Sequence, residues 1–200
     1  MYSLFKRLMD IVFALFLLLL TFPIQVILLI AATLIFKGQP LFFQKRIGYR
    51  ERSFTIVKFR SMNNALDAHG QLLPDSQRMG PFGKLLRATS LDELPQLLLI
   101  IKGTMSFVGP RPLLPEYLEL YSDTQKRRHE VKPGLSGWSQ VKGRNNLSWT
   151  EKLEKDVWYV DNQNLGTDLN ILLVTIGRVL SGKGVNPEGS KSVQRFNGSN

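Results

Sequence analysis

The strongest pattern in the chain lies at its beginning. No residue between Asp10 and Lys37 is charged, and the run IVFALFLLLLTFPIQVILLIAATLIF is apolar on nearly every face. As a straight helix it would be about 39 Å long, against roughly 30 Å of bilayer hydrocarbon, so its length allows a span. A cleaved secretory signal fits poorly. The apolar part is too long, and Ala31-Ala32 leads into more apolar sequence rather than a polar mature start. Pro23, near the middle, removes a backbone donor and crowds the preceding turn, which predicts a kink or break. Each half would then be about 18–20 Å long, too short to cross alone. Thr21 is placed to bond a freed carbonyl, and Gln25 lies beside the break. Lys6 and Arg7 precede the run; Lys37, Lys45, Arg46, Arg50 and Arg52 follow it. The positive-inside rule puts both flanks in the cytoplasm. A re-entrant helix that enters and leaves on one face satisfies both constraints. A kinked single-pass anchor is the alternative, since prolines are tolerated in such helices.

Beyond residue 40 the patterning changes to mixed α and β. Residues 41–47 and 53–59 are short β-prone runs around Gly48-Tyr49-Arg50-Glu51, which predicts a hairpin. Two-residue alternation puts Phe54, Ile56, Lys58 and Arg60 on one face. Such a face suits a phosphate, or equally a charged strand edge that discourages aggregation. Residues 61–80 read as a polar loop, with at most a helical turn, and as a candidate lid. Residues 168–181 form an apolar or amphipathic helix too short to span, belonging to the core or to the membrane interface. The last 16 residues are polar and read as a mobile tail.

Within residues 84–102, Ser90-Leu91-Asp92-Glu93 fits a capping box, with Ser90 at the N-cap and Glu93 at N3. The same stretch also suits catalysis. A helix N-terminus favours an ionised Asp and attracts phosphate, and an Asp there can act as a carboxylate nucleophile. Pro95 fits better if the regular helix begins nearer Leu94. In Gly109-Pro110-Arg111-Pro112, two prolines stiffen the backbone around a guanidinium able to clamp phosphate oxygens; the plainer reading is a stiff turn with an exposed charge. Lys132 to Trp138 and Gly143-Arg144-Asn145 are shaped loops that suit a nucleotide or a membrane surface.

The net charge of +10 and pI near 10.0 favour an anionic partner. The cations are dispersed, without a recognition helix, so nucleic acid is not expected. The absence of cysteine excludes disulfides, thiol catalysis and cysteine zinc sites. His69 and His129 are far apart in sequence, and both are expected at the surface. Walker A, GxGxxG, GxSxG and Asp-x-Asp motifs are missing.

Four strings in order carry a family resemblance: Lys58 to Met62 (KFRSM), Ser90 to Leu97 (SLDELPQL), Met105 to Pro112 (MSFVGPRP) and Lys132 to Trp138 (KPGLSGW). With the basic-flanked apolar N-terminus, the chain resembles the small monotopic phosphoglycosyl transferases of bacteria over nearly its whole length. The resemblance implies an α+β fold: a re-entrant membrane helix-break-helix (1–37), a small α/β catalytic domain with a β-hairpin and interfacial amphipathic helices (38–185), and a polar tail (186–200). It implies transfer of a sugar 1-phosphate from a UDP-sugar, N-acetylated or diacetamido, to polyprenyl (undecaprenyl) phosphate with release of UMP. The expected location is the cytoplasmic face of the bacterial inner membrane, in contact with phospholipid. Asp92 then corresponds to the nucleophile and a Mg2+ contact, and Glu93 to its assistant. Lys58, Arg87, Arg111 and Arg144 correspond to phosphate- or headgroup-binding residues, and Pro23 to the membrane break. Asp156 and Asp168 match family acids with less defined roles. One departure is Phe22, where the family usually has Ser before the proline. The competing readings are a basic scaffold that binds anionic lipid, for which Ser90–Glu93 is only a cap, and a membrane transferase that releases UDP.

Overall fold

The structure is a computed structural model that describes residues 2–143, 147–181, 195–198 and 200. The apolar run forms one helix, α1 (Tyr2–Ile35), with Pro23 inside it. The expected helix-break-helix is thus replaced by a helix that continues through the proline. Pro23 costs only the donor due to the Leu19 carbonyl. Thr21 Oγ1 donates to the Leu17 carbonyl (2.6 Å) and accepts from Gln25 Nε2 (3.0 Å), bracing the turns on either side. Thr21 therefore serves Leu17 and not the freed carbonyl. Of α1 only Asp10, Ala14, Leu28 and Ala32 are buried. At 100° per residue these four fall within about 40° of arc, a single narrow stripe.

Hairpin strands β1 (Leu41–Ile47) and β2 (Ser53–Phe59) match the expected runs, paired antiparallel from Leu41–Phe59 to Ile47–Ser53. The short helices α2 (Asp75–Arg78) and α3 (Pro81–Ala88) follow, then a 3-10 segment, Leu91–Gln96, which leads into α4 (Leu97–Lys102). Strand β3 (Ser106–Val108) pairs parallel with β4 (Gly134–Ser136). Between them lie the 3-10 turns Pro115–Leu120 and Arg127–Glu130 and the helix α5 (Asp123–Lys126). The β3–β4 pair needs Gly109 at its end, because a Cβ there would stand 2.2 Å from the Lys132 carbonyl oxygen. Helices α6 (Trp138–Lys142), α7 (Trp149–Asp161) and α8 (Leu165–Leu180) complete the domain. Ser148 with Glu151 caps α7, and Asn164 caps α8.

The stripe of α1 joins two separate cores. Ala14 packs with Ile56, Leu97, Ile100 and Met105, whereas Leu28 packs with Phe59 and Leu86. Polar bonds fix its first turns. Asp168 of α8 accepts from Tyr2 (2.6 Å) and Tyr159 (2.6 Å) and pairs with Lys6. Asp10 accepts from Ser106 Oγ (3.1 Å) and the Phe107 amide (3.2 Å). Arg7 donates to the Ile100 and Ile101 carbonyls at the end of α4 (2.5 and 2.6 Å). Asp156 receives Arg128 through Nε (3.1 Å) and Nη2 (2.7 Å), and also Ser139 Oγ (2.7 Å). Both acids of undefined role are therefore tied up inside the fold.

His129, expected at the surface, is buried, and its Nδ1 lies 3.1 Å from the Gly48 carbonyl. His69 is exposed as expected. The C-terminal stretch is not free where it is described: Phe196 is 4% exposed, among Tyr117, Tyr121 and Trp149.

Asp168→Ala strands Lys6 in a poorly hydrated place and should destabilise by about 3–5 kcal/mol in chemical denaturation. Asp161→Ala removes only the exposed pair with Arg127 and should change little. Burial, then the charge of Arg128, lowers the His129 pKa from 6.5 to about 4. The unfolded chain therefore binds this proton first as pH falls. Stability should be whole above about 6.5 and decline toward 4, and His129→Gln should flatten that slope in a pH series of melts.

Candidate active site

The Ser90–Glu93 string does not form the expected capping box. Ser90 adopts a left-handed conformation (φ 56°, ψ 18°) and makes no side-chain cap bond. An N-cap needs extended geometry to turn its oxygen toward the following amides. The segment is 3-10 and not α-helical because Pro95 cannot donate, and the regular helix begins at Leu97 rather than near Leu94. Leu91 and Leu94 face inward, packed against the core that holds Leu28 of α1. With those side chains anchored, the Asp92 and Glu93 carboxylates meet the cations of neighbouring elements.

Glu93 is bound tightly. Lys58 of β2 donates to its Oε1, and Arg111 Nη2 lies 3.5 Å from the same oxygen. Burial pushes the Glu93 pKa up, but the charges and hydrogen bonds of Lys58 and Arg111 outweigh it and hold the group below the usual carboxylate range. Asp92 differs. Lys58 Nζ is 3.8 Å away, and its carboxylate receives no hydrogen bond among the described residues. Burial raises its pKa above the usual range; Lys58 opposes that and Glu93 adds to it, while Arg87 and Arg111 pull it down. The sequence argument expected a helix end to favour ionised Asp92, but desolvation wins because no α-helical dipole starts there.

Arg87 ends α3 and donates to Ser61 Oγ (3.0 Å) and toward Met62 Sδ (3.5 Å). It can sit there because α3 approaches the end of β2 at Gly83, where a Cβ would lie 1.9 Å from the Ser61 carbonyl oxygen. Lys58, Arg87, Asp92, Glu93 and Arg111 thus come together. Arg144 lies outside the described residues. Pro23 belongs to α1 and contributes nothing polar to the cluster. Arg60 turns away to the Gln39 and Leu41 carbonyls (2.9 and 3.3 Å), so of the predicted basic face only Lys58 serves the site.

Sequence reasoning missed three contributors. Arg46 on β1 lies near Arg111; burial first, and then that charge, lower its pKa to about 10. Arg128 donates to the Arg111 carbonyl (2.6 Å). Ser61 receives Arg87. Ser61 lies within the KFRSM string and Arg46 within the predicted first strand, although neither is assigned a role there, but nothing in the spacing marks Arg128, which sits in the charged run KRRHE.

Among the described residues no three His, Asp or Glu side chains gather as a metal-ligand set. A Mg2+ that takes most of its oxygens from phosphate and water needs only one or two carboxylates. Asp92, with its oxygens unbonded, fits that requirement; Glu93, held by two cations, does not.

A phosphate-sized anion brought here would meet Lys58, Arg87 and Arg111 beside the Asp92 carboxylate, which Lys58 approaches only to 3.8 Å. The comparisons with known proteins agree with such chemistry. The model of the bacterial sugar transferase family matches residues 1–182. The chain is 48% identical to the uncharacterized sugar transferase EpsL of Bacillus subtilis, over 97% of this chain and 96% of that one. It is 35% identical to the undecaprenyl-phosphate galactose phosphotransferase of Salmonella typhimurium, over 88% of this chain and 40% of that one. It is also 35% identical to the UDP-N-acetylgalactosamine-undecaprenyl-phosphate N-acetylgalactosaminephosphotransferase of Aeromonas hydrophila, over 92% of this chain and 45% of that one. The chain belongs to the bacterial sugar transferase family and is an enzyme of that class. It spans nearly all of EpsL but less than half of the other two.

Gly83→Ala should lower stability and activity together, because a backbone oxygen must move to admit the methyl group. Gly177→Ala on α8, where a Cβ meets nothing within 4 Å, should be neutral or stabilising by up to about 1 kcal/mol. Melting curves of the two variants test this contrast.

Proposed function

We propose that the protein transfers a sugar 1-phosphate from a UDP-sugar to undecaprenyl phosphate and releases UMP, with Asp92 as the nucleophile. The observation that carries this reading is the division between two adjacent carboxylates. Glu93 is engaged closely by Lys58 and Arg111, whereas Asp92 stands 3.8 Å from Lys58 and receives no hydrogen bond among the described residues. An Asp92 oxygen attacks the β-phosphorus of the donor, and the bond to the α-phosphate oxygen breaks, so UMP leaves with that oxygen. A phosphate oxygen of undecaprenyl phosphate then attacks the phosphosugar–Asp92 intermediate and restores the carboxylate. Lys58, Arg87 and Arg111 stabilise charge on the transferring phosphoryl group. Glu93 orients Lys58 and Arg111. Asp92 would hold a Mg2+ ion, which would offset phosphate charge.

The membrane arrangement is read from α1. Its residues 14 and 28, about 21 Å apart along the axis, both touch the catalytic domain, so an upright span would drag that domain into hydrocarbon. Among the described residues one helix, Tyr2–Ile35, is long and apolar enough to cross. We read it instead as monotopic, with both ends on the cytoplasmic side of the bacterial inner membrane, where UDP-sugars are found. Exposed Leu165, Leu169, Leu173 and Ile176 of α8 continue the lipid-facing surface. The scaffold reading loses its basis, since Ser90–Glu93 is not a helix cap.

The donor is read as an amino sugar or galactose, and a panel including UDP-galactose, UDP-GalNAc, UDP-GlcNAc and UDP-diacetamido-bacillosamine decides. With Mg2+ and undecaprenyl phosphate, wild type should release UMP from at least one donor and Asp92→Asn from none. Near-normal turnover by Asp92→Asn would sink the covalent mechanism, and release of UDP would sink the reaction class. The raised Asp92 pKa places the acid limb of turnover above the usual Asp range. Lys58→Gln removes the strongest opposing charge and should move that limb to still higher pH.

A further inference from the structure

We infer that Phe196, near the end of the chain, is a positioning residue for Arg111. It rests on the reading of Arg111 as a phosphate-binding group. Phe196 is 4% exposed and closes an aromatic cluster. Its ring lies 5.7 Å from Tyr121 at 30°, 5.7 Å from Tyr117 at 80° and 5.5 Å from Trp149. Such contacts hold rings in fixed orientations as well as burying area. Tyr121 in turn holds Arg128. The guanidinium carbon is 5.8 Å from the Tyr121 ring centroid, and Nη1 donates to Tyr121 Oη at 3.4 Å. Arg128 is clamped on its other side by Asp156 and sends Nη2 to the Arg111 carbonyl at 2.6 Å. Arg111 then reaches Glu93.

Pro110 and Pro112 have no amide hydrogens to contribute. Gly134 donates to the Pro110 carbonyl (3.1 Å) and Ile47 to the Leu113 carbonyl (3.0 Å), which fixes the flanks of the turn, while among the described residues the Arg111 carbonyl itself is held by Arg128. Arg128 can hold that bond only while both its supports stand: the carboxylate of Asp156 and the ring of Tyr121. Removing Phe196 leaves a void against Tyr121 and frees that ring to turn. Arg128 would then keep Asp156 and loosen its hold on Arg111. The last residues of the chain thereby reach the phosphate site through three contacts, without touching substrate.

The test uses the full chain in membranes, comparing Phe196→Ala, Phe196→Leu, Arg111→Gln and the Phe196→Ala/Arg111→Gln double variant. Two readouts are taken. Amide exchange over residues 107–118 should quicken in Phe196→Ala, and less so in Phe196→Leu, which keeps apolar volume. In UMP release, Phe196→Ala should lower kcat/KM by up to about 100-fold, the scale of a misplaced binding group. In the Arg111→Gln background it should cost almost nothing more, because the group it positions is gone. Losses that multiply, or exchange that stays at the wild-type rate, overturn the inference. If Phe196→Ala does not fold, Phe196→Leu is judged by the same two criteria. If wild type releases no UMP from any donor, the proposed reaction fails, and the exchange result alone still decides the coupling between Phe196 and the Arg111 turn.

Discussion

The attachment of α1 to the catalytic domain is the constraint on which the remaining structure depends. Asp10 and Asp168 are buried carboxylates placed where the apolar helix meets the protein. Desolvating them is costly unless each is fully engaged. Ser106 and the Phe107 amide engage the first; Tyr2, Lys6 and Tyr159 engage the second. These bonds tie α1 to β3 and α8, and Arg7 ties it to the end of α4. The membrane element and the domain are therefore one packed unit. The small side chains of Ala14 and Ala32 let the backbones approach closely along the stripe. The height of Asp92 relative to the lipid is then set by packing and not by a linker, which suits a reaction between a soluble donor and a lipid acceptor.

The same economy governs the reactive centre. Two neighbouring carboxylates would repel if both were free, and Glu93 indeed raises the Asp92 pKa. Lys58 and Arg111 relieve this by binding Glu93 closely while standing farther from Asp92. The 3-10 turn makes the split possible: Leu91 and Leu94 eclipse on the buried side, leaving both acids to face the cations. The cost is burial of charge with few direct bonds at Asp92, an arrangement expected where a group must react rather than stabilise.

Behind the site, Arg128–Asp156 forms a nearly inaccessible pair, with side chains 1% and 4% exposed. It links the 3-10 turn Arg127–Glu130 to α7 and reaches the Arg111 backbone. Buried pairs of this kind contribute more to a defined geometry than to net stability. Here the defined geometry includes the backbone of Arg111, which Arg128 bonds, and on the inference drawn above its support extends through Tyr121 to Phe196.

Much of this was legible in the sequence because it rests on local physics. The uncharged run had to form a helix, since backbone groups in lipid must bond within the segment. The alternating runs about Gly48–Glu51 gave the hairpin with its register ends intact. The string around Asp92, with Lys58 and Arg111, named residues that the fold does bring together. The rest depended on partners distant in sequence. Whether Ser90–Glu93 capped a helix was decided by Lys58 and Arg111, which captured Glu93, and by Pro95, which delayed the helix. His129 and Phe196 looked like surface and tail residues because nothing near them in sequence announces burial. Arg128 and Asp156 are ordinary charges until folding places them 2.7 Å apart across 28 residues of chain. Periodicity and backbone chemistry act over a few residues, so the sequence alone determined the apolar helix, the hairpin runs and the string that holds Asp92. Desolvation and charge pairing act through space, so only the tertiary structure decided which carboxylate Lys58 and Arg111 bind and which one Lys58 approaches only to 3.8 Å.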